Sequence, residues 1–194
     1  LNNFSLYLDF TSRNSDEEKV VERIARDIEC FGFPAEFSRV KFRDMGKTVV
    51  LRIKGPLFDG SDRSMTLLRV EVSLRRDLVL EPEVKEIVPI YPDVRPYLLQ
   101  VMRLEEILAE KVRAIFHRGR ASDLYDLWFL ARRGVEMDLE LVNTKLSYYR
   151  IVFSVEEFRR KVMELENTWA EELKPVATFV PRFKTVIRDM EAFL

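Results

Sequence analysis

The sequence predicts an α+β protein in two parts: a mixed sheet with helices over residues 1–96, then a helical half over residues 97–194. Three observations predict it. Apolar residues recur at every second position in two segments of the first half, they recur at helical spacing through the second half, and the two regimes meet at the proline-marked stretch 92–96. The chain has 194 residues, 47% of them hydrophobic, which is enough to bury a real core and excludes disorder as a description of the whole chain.

The elements follow in order. Leu6, Leu8 and Phe10 alternate with Tyr7, Asp9 and Thr11, the pattern of a strand with one apolar and one polar face. Ser15 and Glu18 form a capping box, and Val20, Val21, Ile24, Ile28 and Phe31 make a helical stripe that stops at Gly32 and Pro34. Residues 36–43 and 48–54 read as two strands of a hairpin turning near Gly46. Residues 55–64, with Pro56 and Gly60, read as a loop. Residues 66–74 place Leu68, Val70, Val72 and Leu74 on one face and Leu67, Arg69, Glu71 and Ser73 on the other. A short strand is expected at 87–90. From Tyr97 onward Val101, Leu104, Leu108, Val112 and Ile115 predict a helix ending at Gly119, and Ser122 is expected to cap a second one running to Gly134. Ser154 and Glu157 predict the start of a long helix closed by Pro175, and a last helix is expected from about Pro181 to Leu194.

Charge and cysteine content exclude several classes of function. With 32 Lys+Arg against 33 Asp+Glu the net charge is −1, so no global positive field recruits nucleic acid or anionic lipid, and any such contact has to come from a local patch. One cysteine, Cys30, allows no intramolecular disulfide, and one histidine, His117, allows no zinc site of Cys/His type. Together with the lack of an apolar run of roughly 18 residues, this leads to the expectation of a cytoplasmic protein with no membrane partner.

Two groups of residues carry possible chemistry. Asp9 and Glu71 each stand on the polar side of a strand, and a carboxylate from each of two strands is the kind of pair that holds Mg²⁺ with water and phosphate. On spacing alone, ordinary solvent-facing residues are the favoured explanation. Lys111 lies on one helix, and Asp123 and Asp126, three apart, share a face of the next. They suit either phosphate binding with a general base or an inter-helix ion-pair network.

The stretch RLEEILAEKVRAIFHRGRASDLYDLWFL, residues 103–130, resembles the signature of the AbiEii/AbiGii nucleotidyltransferase toxin family, an "EEilAeKlrAl" helix followed by a turn and "RDlyDLyfL". Lys111, Asp123 and Asp126 fall on its lysine and two aspartates. Ser122 stands where the family has arginine, a place that Arg118 or Arg120 can fill. The segment FSLYLDF at 4–10 is similar to the family's "RFSEDLDF" strand, which puts Tyr7 on the first metal-binding aspartate and Asp9 on the second. Glu71 matches the later third carboxylate, and the family's Gly-rich turn would lie upstream of Leu1.

The resemblance implies a nucleotidyltransferase-like fold and Mg²⁺-dependent transfer of a nucleoside monophosphate from an NTP to an acceptor such as tRNA or other RNA. It implies Asp9 and Glu71 as metal ligands, Lys111 and Arg118 as nucleotide-binding residues, Lys111, Asp123 and Asp126 with the two metal ligands as catalytic residues bordering one cleft, and an antitoxin protein as partner. Tyr7 supports an alternative. A phenol, with a pKa of about 10, is a neutral group and no substitute for a carboxylate on Mg²⁺. The alternative is a catalytically impaired nucleotide-binding or protein-partner module of the same fold.

Overall fold

The computed structural model describes residues 8–12, 17–43, 45–91 and 94–193. Tyr7 and the capping residue Ser15 lie outside them. The chain divides into two compact units between Leu78 and Val79, earlier than the expected boundary at 96/97.

The first unit contains strand β1 (Leu8–Thr11), helix α1 (Glu17–Cys30), strands β2 (Ala35–Arg43) and β3 (Gly46–Ile53), a 3-10 turn at Asp62–Ser64, and strand β4 (Thr66–Ser73). They form a mixed sheet in the order β1-β4-β3-β2, in which β1 runs parallel to β4 and the other neighbours are antiparallel. Alternation in the sequence sets the two faces. Val49, Leu51, Val70 and Val72 are buried on one face, and Glu71 and Arg69 are exposed on the other. Among the described residues of α1, Ala25 is buried while Arg23, Arg26 and Asp27 face water, which is the division an amphipathic helix makes when it covers a sheet. The predicted hairpin is present. Its strands pair from Ala35 with Ile53 to Arg43 with Gly46, interrupted by a bulge between Phe37 and Arg39.

The second unit opens with strands β5 (Glu83–Ile87) and β6 (Tyr97–Val101), followed by α2 (Leu104–His117), α3 (Ala121–Arg132), α4 (Leu139–Ser147), α5 (Val155–Met163), α6 (Trp169–Leu173) and α7 (Phe183–Glu191). Here the structure corrects four expectations. Tyr97–Val101 is extended rather than helical because it pairs antiparallel with β5, Ile87 opposite Tyr97 and Glu83 opposite Val101. The short strand lies at Glu83–Ile87, a few residues before the expected place. Since these two strands pair with each other, they group with the helices, which is why the compact units divide where they do.

The long helix expected after Ser154 is two helices. Leu165, Glu166 and Thr168 donate to the carbonyls of Val162, Met163 and Leu165, each three residues back, and this tightening turns Leu165 and Trp169 together into the core. The Ser154 cap itself holds, its hydroxyl accepting from the Glu157 N–H at 3.3 Å. Finally, α4 has no counterpart among the expected elements. It starts at Asp138, whose carboxylate accepts from the Glu140 and Leu141 N–H groups at 2.9 and 3.0 Å. Leu108, Ile115, Leu124, Leu127, Leu146 and Val186 are completely buried at the centre of this unit. Among the described residues no helix is long and apolar enough to cross a membrane.

Candidate functional site

The sheet unit carries one group of candidate residues. In the parallel pairing of β1 with β4, Asp9 stands directly opposite Glu71, so the two carboxylates share the polar face on neighbouring strands about 4.8 Å apart. Both are exposed. This placement requires a parallel pairing between distant segments, which alternation within either strand does not reveal. The donor set suits Mg²⁺, which is held by one or two carboxylates and completes its shell with water and phosphate oxygens. Among the described residues no group of three or more acidic, histidine or cysteine side chains gathers, so the pair lacks the fuller ligand cage of a structural metal site. Ser73, two residues beyond Glu71 on the same face and opposite Thr11, carries a buried hydroxyl with no hydrogen-bond partner among the described residues. An orphaned oxygen on this face, two residues along β4 from Glu71, is an exception to the rule that buried polar groups are paired.

The helical unit carries a second, separately described group. Helix α2 ends with Arg118 as its C-cap, and Gly119 takes φ +54°, a left-handed conformation that glycine adopts without a Cβ penalty. The chain then re-enters a helix at Ala121. Ser122 is therefore inside α3 and not its cap. The Ala121 N–H is met by the Glu172 carboxylate of α6 at 3.0 Å, which supplies what the serine was expected to give.

The tight turn brings Lys111, Arg118, Asp123 and Asp126 together. Arg118 donates to both oxygens of Asp123, from Nε at 2.8 Å and from Nη2 at 2.7 Å, the bidentate geometry that only a guanidinium provides. Lys111 Nζ lies 3.4 Å from Asp123 and 2.7 Å from Asp126. Of the two arginines near Ser122, Arg118 is the one that bonds Asp123.

Burial separates the two aspartates. Asp123 is fully enclosed, while the Asp126 side chain is 32% exposed and Lys111 25%. Burial alone would raise the Asp123 carboxyl, but the Arg118 hydrogen bonds and charge, with Lys111, outweigh it and hold the group below the usual carboxylate range. For Lys111 burial acts downward, and Asp126 and Asp123 more than offset it, so its ammonium titrates above its ordinary value. Asp123 and Lys111 are therefore both charged at neutral pH.

A stability test follows from these directions. Because the folded Asp123 value is depressed, its contribution is present above the unfolded carboxylate pKa of about 3.9 and disappears as pH falls through the lower folded value. Lys111 contributes below its unfolded value of 10.5 and loses that contribution as pH rises through the folded one. Asp123→Asn is expected to cost about 2–3 kcal/mol at pH 7, because a buried charged hydrogen bond is lost while half-exposed Arg118 regains water. Thermal melts at pH 7 and at pH 3 should show the gap between wild type and variant closing in acid. A gap of unchanged size at pH 3 would show that Asp123 acts through packing instead.

A further buried ionic group includes Lys145, which nothing in the sequence marks. Lys145 of α4, 1% exposed, pairs with Glu106, 0% exposed, and with Glu110 at 3.2 Å. Glu106 also accepts the Val79 and Leu80 N–H groups at 2.7 and 2.8 Å. In the sequence Glu106 reads as an acid in a first helical turn, favourable to the helix dipole, and nothing marks Lys145.

A mixed sheet with a carboxylate on each of two adjacent parallel strands, and a helix-turn-helix bearing one lysine and two aspartates, are the features that the resemblance to the nucleotidyltransferase toxins implies. Comparison with known proteins agrees: the chain belongs to the family described as nucleotidyl transferase AbiEii toxin, Type IV toxin–antitoxin system, whose model matches residues 4–192. Two solved structures share the fold. MenT4, a nucleotidyltransferase toxin from Mycobacterium tuberculosis H37Rv, is 22% identical with a TM-score of 0.68, over 99% of this chain and 68% of that one. JHP933 from Helicobacter pylori is 20% identical with a TM-score of 0.59, over 100% of this chain and 75% of that one. No curated protein sequence matches the chain.

Proposed function

We propose that this protein transfers a nucleoside monophosphate from an NTP to an RNA acceptor such as tRNA, and that an antitoxin protein restrains it. The observation that carries the reading is the in-register pairing of Asp9 with Glu71 on the polar face of the sheet. These two carboxylates would hold Mg²⁺, which when bound offsets the charge of the triphosphate and of the departing pyrophosphate. In the reaction an acceptor hydroxyl attacks the α-phosphorus, the bond from that phosphorus to the bridging oxygen of the β-phosphate breaks, and pyrophosphate leaves in line.

Lys111 offers its ammonium to a phosphate oxygen. Arg118 holds Asp123 as an anion, and Asp123 in turn orients Lys111. Asp126, the more accessible aspartate, takes the proton of the attacking hydroxyl. The second reading, a nucleotide-binding module that has lost its chemistry, rests on Tyr7 at the position of a family carboxylate.

Incubation of the full chain with Mg²⁺, each of the four labelled NTPs and total tRNA tests both. Transfer of label is expected with at least one NTP, and Asp9→Asn or Glu71→Gln should lower it by at least about a hundredfold, since each removes one of two ligands to the ion that neutralises developing charge. Nucleotide binding with no transfer from any of the four NTPs would favour the second reading. Transfer that survives both substitutions would remove the sheet face from the reaction.

A further inference from the structure

The polar face of the sheet does not end at the carboxylates. Register carries the row from Asp9 and Glu71 across Thr48 of β3 to Lys41 of β2, and the next row on the same face reads Arg69, Val50, Arg39. With strands about 4.8 Å apart, Lys41 is rooted about 10 Å from Glu71, and Arg39 lies about 7 Å further along β2. On this face Asp9 and Glu71 stand on β1 and β4, with Arg69 two residues from Glu71 on β4, and two further cations, Arg39 and Lys41, stand on β2.

Arg39, Lys41 and Arg69 are all exposed. On the same face Arg52 is already committed, 2.9 Å from Asp62 and 3.5 Å from Glu36. No ion pair joins Arg39 or Lys41 to a carboxylate among the described residues. Two such exposed cations, in a chain whose net charge is −1, make a local positive strip and not a general field.

We infer that Arg39 and Lys41 bind the phosphodiester backbone of a single-stranded RNA acceptor and lead its reacting end toward Asp9 and Glu71. This deepens the proposed transfer reaction and rests on it. The acceptor hydroxyl has to reach the α-phosphate held at the carboxylates, and the phosphates that follow it along the strand then need cations at increasing distance from the metal. A strip that starts two strands away and continues along β2 meets that need, whereas the charge of a triphosphate anchored at Asp9 and Glu71 lies nearer the β1–β4 side. Guanidinium and ammonium groups are the usual partners of backbone phosphates and read no sequence, so the strip tolerates different acceptors.

The test measures binding of a labelled short single-stranded RNA of mixed sequence to the full chain without NTP, at a series of salt concentrations, so that it is read apart from transfer. Wild type should bind weakly and with strong salt sensitivity. Arg39→Ala/Lys41→Ala should weaken binding on the order of tenfold at low salt and lower the slope of log affinity against log salt by about 1.4, ~0.7 for each phosphate left without its cation. Arg39→Lys/Lys41→Arg, which keeps both charges, should restore most of the affinity and so separates charge from folding. Arg26→Ala/Lys184→Ala, two exposed cations elsewhere, should leave the slope at the wild-type value.

An unchanged slope in the Arg39/Lys41 variant, an equal loss in the control pair, or a raised KM for NTP with RNA affinity intact would overturn the assignment. If RNA binds through the strip but wild type transfers no nucleotide, the reaction fails and the strip stands. If transfer proceeds and the strip variant binds RNA as wild type does, the strip fails and the reaction stands.

Discussion

Tyr7→Asp is expected to raise nucleotide transfer by about a hundredfold or more and to tighten Mg²⁺ binding. The phenol is neutral at pH 7, whereas a carboxylate at that position adds a formal negative charge and a hard oxygen ligand two residues before Asp9 in the chain. A well-placed ligand of this kind contributes several kcal/mol of charge stabilisation, and every ~1.4 kcal/mol is tenfold in rate. Asp9→Asn in the Tyr7→Asp background should abolish the gain, because both residues act through one ion and their effects are not additive. Mg²⁺ titration by calorimetry and labelled-NTP transfer report the two consequences separately. A wild-type chain that is already fast, with no response to Tyr7→Asp, would show that the first strand is misaligned with the family motif.

The largest loss of stability is expected at Lys145. Lys145→Met removes the cation that neutralises the completely enclosed Glu106, while Glu110 keeps Arg113 at 2.7 Å, and so leaves the Glu106 charge in a place water does not reach. Breaking a buried pair on one side costs about 3–5 kcal/mol, which for a unit of this size corresponds to a fall in melting temperature on the order of 10–20 °C. Two further hydrogen bonds depend on Glu106, those from the Val79 and Leu80 N–H groups, so Glu106→Leu is also expected to destabilise by leaving two donors unpaired. Lys145→Met combined with Glu106→Gln should recover part of the loss, since the neutral amide still accepts one N–H and no longer needs the ammonium. If the single and double variants melt at the wild-type temperature, the pair is not the anchor that its burial indicates.

Local chemistry was legible in the sequence. The helix-turn-helix cluster needs no distant segment: Lys111 and Arg118 stand two turns apart on one helix, Gly119 permits the reversal, and Asp123 and Asp126 follow within two turns of the next, so helical period and one left-handed glycine bring them together. The faces of β1 and β4 were equally legible, because a strand's side chains alternate whatever it pairs with.

What depends on long-range association was not. YLLQV at 97–101 suits either a strand or the start of the following helix, and pairing with Glu83–Ile87 settled the choice. The opposition of Asp9 to Glu71, the row that ends in Lys41, and the enclosure of Lys145 with Glu106 all required segments far apart in the chain to meet. By itself the sequence determined which side chains lie on a common face of each helix or strand, because that follows from backbone dihedral angles. Only the tertiary structure decided which faces meet and which charges leave water, because loop-closure entropy and desolvation belong to the whole chain and are absent from any single element.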